Sequence, residues 1–362
     1  MVAFSTPVDP AGYAMTSLMI EQGEMYAGYA CEPSLREVAS SGGVVSSILL
    51  HLLERGIIDG ALVSRITSRD GKVAAVTELA HTREGILACA GSSYVDTPVL
   101  KAVQALDEFS GRVAVVLLPC QARALAQLLE KKPALREKVY LSIALFCRGT
   151  VDRRFYEDWF RREGIDEAAV ASLKIRRSHY TGQVVLHMHD GSERAFPFQR
   201  MNGYRLAGVH AKNKCCWCEE HLGAAADISV GDLFMPEYKA RPVKHSAFIG
   251  RTPRGVETLQ GLCDAAALTA EFVGMATYRK TFARIERFSN TLAPRYAAAR
   301  LAGLKPARAQ HEHGNLFHTL AWTIYFKNCC LSRTERGRRL LYALPSAVIS
   351  LMALLIKLLS KW

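Results

Sequence analysis

The chain has 362 residues, 49% hydrophobic and 22% charged, which fits a globular protein with a large core and excludes a disordered or collagen-like one. The N-terminus lacks the basic-then-apolar pattern of a secretory leader, so the ten cysteines are expected to be reduced thiols or metal ligands in a cytoplasmic protein, not a disulfide framework. The net charge of +12 is concentrated: from residue 273 to 362, 15 Lys and Arg stand against 3 Asp and Glu, so the rest of the chain is near neutral. A basic tail on a neutral body suits an anionic surface, here expected to be a membrane and not nucleic acid.

Residues 1–32 lack periodicity and read as an irregular arm. Ser40, Ser41, Gly42 and Gly43 open a helix over 44–55 that Gly56 can end. A strand is expected over 57–66 and a second helix over 98–109. Residues 113–118 form an apolar run rich in valine, as in a strand buried on both faces, and it ends at Pro119-Cys120. A helix over 121–129 follows, then a second buried strand over 139–146 that ends at Cys147. Strand, helix, strand within this length is a βαβ unit, so the two strands should be parallel and should deliver Cys120 and Cys147 to one sheet edge.

The segments 184–188 and 194–198 flank Asp190-Gly191, a hairpin signal. His187 and His189 alternate with apolar residues there and are assigned to no metal. The expected organisation is the arm 1–32, an α/β region 33–150, a second, hairpin-containing region 151–272, and a helical basic extension 273–362. The fold class is α/β, with a mixed, partly parallel sheet core and flanking helices. Residues 340–356 carry no charge. As helix they would span about 26 Å at 1.5 Å per residue, just short of the ~30 Å hydrocarbon core. Extended to residue 359 they form a candidate anchor on the inner face of the membrane, with Pro345 kinking it or starting a second helix.

Cys215-x-x-Cys218 is by itself ambiguous: a redox dithiol, half a zinc site or chance. Cys120 and Cys147 at strand ends add two more thiolates from other backbone directions, as one iron–sulfur cluster requires. The alternatives are a zinc site or cysteines that merely pack in the core. Cys216 is a spare thiol or alternative ligand, and Cys31, Cys89 and Cys263 read as core packing. At 40–43 the glycines and free helix N–H groups suit a phosphate, or are an ordinary serine cap. Ser92, Ser93 and Tyr94, after Gly91 and ahead of a helix, raise the same alternatives. No Ser-His-Asp order, metalloprotease motif or Walker loop is present.

Six motifs in order, from about residue 36 to about residue 272, resemble the family of coenzyme F-420 hydrogenase/dehydrogenase beta subunits. Ser41-Gly42-Gly43 resembles its S-G-G. Gly91-Ser92-Ser93-Tyr94-Val95 resembles its G-S-K-Y-V, and Pro119-Cys120-Gln121 its P-C-Q. Cys147-Arg148-Gly149 resembles its C-H-G. Cys215-x-x-Cys218 with Ala226-Asp227-Ile228 and Gly231-Asp232 resembles its C-x-x-C and A-D-I-x-x-G-D. Arg251-Thr252-Pro253-Arg254-Gly255 resembles its N-T-x-x-G.

The resemblance implies an oxidoreductase with FAD, lined by Ser40–Gly43 and Ser92–Tyr94, and one 4Fe–4S cluster on Cys120, Cys147, Cys215 and Cys218. Electrons would pass between a reduced carrier, deazaflavin or ferredoxin, and a small-molecule acceptor. Asp227 and Asp232 are expected to orient backbone or cofactor, and no residue is assigned as general acid. The chain departs from the pattern at Ser93 (lysine), Leu118 (glycine) and Arg148 (histidine), and Ser93 is expected to weaken contact with a flavin phosphate. Residues 1–35 contain one cysteine, so a single cluster and an external carrier are expected. The alternative is a membrane-associated accessory protein with a structural metal, such as some members encoded in polysaccharide-biosynthesis loci.

Overall fold

The computed structural model describes residues 18–177, 182–305 and 315–361. Its centre is one 11-stranded mixed sheet. The strands are β1 (Tyr26–Gly28), β2 (Gly60–Arg69), β3 (Lys72–Ala80), β4 (Val113–Leu117), β5 (Val139–Leu145) and β6 (Val170–Arg177). They continue with β7 (Gln183–Met188), β8 (Glu193–Pro197), β9 (Ile228–Asp232), β10 (Ser246–Gly250) and β11 (Glu271–Phe272). Their order is β11-β1-β10-β9-β5-β4-β2-β6-β7-β8, with β3 hairpinned onto β2. Strands from both sides of residue 150 thus share one sheet.

The middle is parallel: β2 pairs β4, β4 pairs β5 and β5 pairs β9. Alternation along β4 shows why this run of valines is a strand. Ala114 faces a cluster that contains Ile48 and Leu49 of helix Val44–Glu54, while Val113, Val115 and Leu117 face Val99, Val103 and Leu125 on the other side. Helices cover both faces, the arrangement that parallel strands require. As the βαβ reading anticipates, Cys120 and Cys147 leave the sheet at the same edge, because β4 and β5 are adjacent and parallel. Asp232, at the end of β9, emerges there too. Such an edge is where open α/β sheets collect ligands.

Three local expectations differ. The arm expected over 1–32 contains β1, which pairs with β10 and β11; its residues 1–17 lie outside the described ones. The first strand starts at Gly60, because the N–H groups of Ile57 and Ile58 both return to the Leu52 carbonyl and close the preceding helix (2.9 and 3.3 Å). The helix expected over 98–109 tightens into a 3-10 turn at Ala105–Glu108. The hairpin at Asp190-Gly191 forms as β7 and β8, and on it His187 pairs with Glu193 across the strands (3.0 Å).

The C-terminal extension consists of helices Met275–Asn290, Ala293–Leu301, Leu316–Leu331, Glu335–Ala343 and Ser346–Leu359. Pro345 starts a new helix, bent by 99° from the one before it. Among the described residues no single helix is long and apolar enough to cross a membrane. The last helix buries one face: Ile349 and Ile356 are buried, and Ile349 joins a core with Trp159 and Tyr204. Arg338 secures the preceding helix by pairing with the buried Asp158 (3.0 Å), which also holds His210 (2.9 Å).

Candidate redox site at the sheet edge

Three backbone segments bring the four cysteines to one neighbourhood. Cys120 lies in the first turn of helix Pro119–Lys131, where Gln121 fixes the entry by accepting the Leu118 N–H (2.9 Å) and donating to the Thr97 carbonyl (2.8 Å). Cys147 follows β5. Its N–H donates to the His221 carbonyl (3.0 Å), and the His221 ring contacts the Cys147 carbonyl (3.0 Å), so the strand end is tied to the loop after C-x-x-C. The Thr150 N–H points at Cys215 Sγ (3.4 Å) and the Gly149 N–H at Cys147 Sγ (3.4 Å).

The Cys147 thiol feels Cys215, Cys120 and Cys218 together. Burial pushes it up to about 12, and the three neighbours and the opposing Gly149 N–H act on top of that. Burial likewise raises Cys120, with Cys218 and Cys215 adding to it. Among the described residues no group of Cys, His, Asp and Glu is gathered closely enough to hold a single metal ion. Zinc would need four sulfurs about 2.3 Å from one point; a multi-iron cluster draws its thiolates from a wider span. Sulfur donors from three directions, with N–H groups aimed at two of them, are the kind of donor set that a 4Fe–4S cluster takes.

Other cysteines separate from this group. Cys216 turns away into a cluster with Trp322 and Cys329, and Cys89 is buried and donates to Glu78 (3.3 Å).

Beside Cys147 opens a cavity of about 280 Å³, close to the lower end of ligand pockets at about 300 Å³. Ser40, Ser41, Gly43, Ser92, Ser93 and Tyr94 all line it, as do Cys147 and Arg148. Gly42 does not. A Cβ there would fall 2.7 Å from the Gly28 carbonyl oxygen, so it is glycine for close packing. Ser40 and Ser41 donate their hydroxyls to the carbonyls of Ile175 (3.0 Å) and His245 (3.2 Å). What they present to the cavity is therefore backbone. Gly43 adopts φ 80° and leads into the helix, whose own ladder begins with the Ser47 N–H to the Gly43 carbonyl (3.0 Å). Val44, Val45 and Ser46, whose N–H groups precede that ladder, line the cavity, and a helix start of this kind suits an anion.

The second segment is held from three sides. Lys174 Nζ donates to the carbonyls of Ala88 (2.7 Å) and Ala90 (2.8 Å), Tyr156 donates to the Ser93 carbonyl, and the Val151 N–H donates to the Tyr94 carbonyl (3.0 Å). Tyr94 itself sits at φ 58°. These anchors fix the loop without the lysine that Ser93 replaces.

The cations of the cavity wall are Arg65, Arg148, Lys174, Arg176 and Arg205, against the carboxylate of Asp232. Arg205 lies over the Tyr94 ring (4.6 Å). Arg176 pairs with Asp232 and reaches the Ser40 carbonyl (3.1 Å). Sequence reading missed Lys174, Arg176 and Arg205. A register irregularity between Ile175 and Arg177, with Arg176 at φ 65°, breaks the simple strand alternation. Asp227 orients backbone, as expected: it accepts the Ser142 N–H (2.9 Å) and hydroxyl (2.8 Å) and the Thr252 hydroxyl (2.7 Å).

Fold and site together define an α/β protein that carries a group of thiols and a cavity with a largely cationic wall on one sheet edge. The chain belongs to the family of coenzyme F420 hydrogenase/dehydrogenase beta subunits: the model of the family's N-terminal part matches residues 25–104 and that of its C-terminal part residues 110–273. It is similar to a subunit of the F(420)H(2) dehydrogenase of Methanosarcina mazei, 29% identical over 202 residues that cover 55% of this chain and 54% of that one. It is similar to the beta subunit of F420-dependent formate dehydrogenase 1 of Methanococcus maripaludis, 27% identical over 221 residues (58% and 52%). An uncharacterized protein of Methanocaldococcus jannaschii is 32% identical over 206 residues (54% and 53%). The chain thus spans about half the length of these relatives. A chain of the F420-reducing [NiFe] hydrogenase complex from Methanosarcina barkeri shares the fold, with TM-score 0.57 and 19% identity over 84% of this chain and 100% of that chain.

Proposed function

We propose that this chain is an iron–sulfur flavoprotein oxidoreductase. In this reading Cys120, Cys147, Cys215 and Cys218 ligate one 4Fe–4S cluster. FAD occupies the adjoining cavity, its pyrophosphate on the N–H groups that follow Gly43 and its remainder along Ser92, Ser93 and Tyr94. The flavin would exchange electron pairs with an organic partner, while the cluster carries single electrons. The carrier would be reduced deazaflavin or ferredoxin, and the acceptor a small molecule. Names of the relatives, which include a subunit of an F420-dependent formate dehydrogenase and an F420-dependent sulfite reductase, favour a deazaflavin carrier.

The observation that carries this reading is the shared wall: Cys147 lines the same cavity as Ser40, Ser41, Gly43, Ser92, Ser93 and Tyr94. A flavin there would lie against a ligand of the cluster. The chain's own residues would do the rest. Arg176 and Lys174 hold the two flavin segments in place, and the cationic wall favours phosphate and anionic partners.

The same reading attaches the protein to the inner face of a membrane through its last helix, lying in the plane of the interface. Ser346–Leu359 is apolar on its outer face as well, where Leu351 (63% exposed), Leu354, Leu355 and Leu358 form a stripe. Arg336, Arg339, Lys357 and Lys361 accompany it, as anionic headgroups would favour.

The test is the visible spectrum, with iron, sulfide and flavin content, of the full chain purified without oxygen. Flavin bands over a broad iron–sulfur shoulder are expected. A colourless protein that contains zinc would favour an accessory role with a structural metal.

A further inference from the structure

The C-terminal extension lies beyond the family-matched residues, yet it packs over the cysteine site. Arg295, on helix Ala293–Leu301, is 1% exposed. Its Nη1 donates to the carbonyls of Cys216 (3.2 Å) and Cys218 (2.9 Å), its guanidinium lies over the Trp322 ring (4.6 Å), and its buried Nε has no hydrogen-bond partner among the described residues. A second arginine, Arg148, exposed at the cavity wall, adjoins Cys147 and stands where the family pattern has histidine. The extension holds it as well: Arg148 Nη1 donates to Ser289 Oγ (2.7 Å) at the end of helix Met275–Asn290, and Tyr278 of that helix contacts it. Among the described residues neither arginine has a carboxylate within ion-pair distance.

A buried, unpaired charge is costly unless an anion lies close by. Beyond ion-pair distance, Glu219, Cys218 and Cys216 act on Arg295, and Tyr278, Glu286 and Cys147 act on Arg148, so cysteines of the site are among the few groups of negative charge that either guanidinium feels. We propose that Arg295 and Arg148 are the counter-charges of the cluster, and that through them the C-terminal extension raises the cluster's reduction potential and holds the C-x-x-C loop. This rests on the cluster assignment above. Four thiolates leave a 4Fe–4S cluster net negative. Taking up one electron from the flavin, with no proton, makes it more negative by one unit. A fixed positive charge at the ligating loop favours the reduced form, and charge and hydrogen bonds at the sulfurs are what set such potentials. Arg295 is a positioning residue, touching the ligand-bearing backbone and not a substrate; Arg148 also lines the cavity.

The experiment is an anaerobic redox titration of the full chain followed by electron paramagnetic resonance, with iron, sulfide and far-ultraviolet circular dichroism checked for each variant. Arg295→Met is expected to shift the reduced-to-oxidised ratio at a given ambient potential about tenfold toward the oxidised form, a fall of ~59 mV for one electron. Arg295→Lys, which keeps the charge, should retain most of the native potential. If Arg295→Met cannot hold iron, Arg148→Met carries the comparison, with the same direction expected. Full iron and sulfide with an unchanged potential in Arg295→Met, or in Arg148→Met where that variant carries the comparison, overturns the proposal. Wild-type protein without iron overturns the cluster assignment instead, and this proposal with it.

Discussion

Arg176 and Asp232 form an ion pair across the sheet edge, with Arg176 Nη2 2.9 Å from Asp232 Oδ1 and the arginine only 3% exposed. The pair joins the end of β6 to the end of β9, and the guanidinium also reaches the Ser40 carbonyl. Three chain segments far apart in sequence are thereby clamped around one cavity. The geometry of the proposed flavin site depends on this clamp more than on the serine hydroxyls, which are spent on backbone carbonyls.

Removing one partner of this pair should therefore cost both stability and cofactor. Arg176→Met is expected to destabilise the fold by about 3 kcal/mol, since it leaves a carboxylate facing the cavity without its partner. It should also purify with less flavin. Arg176→Lys keeps the charge but lacks the two-pronged geometry and should fall in between. Urea unfolding and flavin content measure the two effects; a variant with native stability and native flavin would refute the clamp.

Lys244 makes a pH-dependent contribution. Its ammonium donates to the Ala39 carbonyl (3.0 Å), and burial, aided by the nearby Arg176, pushes it down to about 8 against the pull of Asp232. The unfolded chain holds that proton up to a pH of about 10.4. Between these values the unfolded state binds more protons, so this group makes the protein more stable as pH rises through the window. The cost of burying the charge is fully present below about pH 8. Lys244→Met should thus gain stability relative to wild type near pH 7, and the gain should shrink near pH 10. Denaturation midpoints at the two pH values decide it; an equal difference at both would contradict the assignment.

The membrane face can be tested without removing the tail. Truncation would remove Ile349 and Ile356, which the protein buries itself. Replacing Leu351, Leu354 and Leu358 by aspartate changes only exposed positions. Wild-type protein should sediment with vesicles rich in anionic lipid, less so in high salt or with neutral vesicles, and the triple variant should stay in solution. Wild-type protein that ignores anionic vesicles at low salt would refute the attachment.

How much of this was legible in the sequence follows from the physics of each element. The apolar runs before Cys120 and Cys147 announce buried strands, and the short span between them forces a parallel pair, so the shared edge could be read in advance. Asp190-Gly191 announces its hairpin for similarly local reasons. β1 could not be read: three residues, Tyr26–Gly28, carry no periodicity and become a strand only because β10 and β11 pair with them. Arg176 was hidden by the irregularity in its strand. The role of Arg295 depends on packing between segments some 80 residues apart, which no local pattern encodes. The apolar tail and its break at Pro345 were visible, but its division into a docked face and an exposed one emerges only from tertiary contact.

The central claim is that Cys120, Cys147, Cys215 and Cys218 hold one cluster. It is tested most directly by iron and acid-labile sulfide per chain in single Cys→Ala variants purified without oxygen. The account predicts four irons in the wild type and in Cys263→Ala, whose thiol packs beside the core. It predicts loss of most of the iron at each of the four positions. Iron retained in full by Cys120→Ala or Cys147→Ala, with the fold intact, would contradict it.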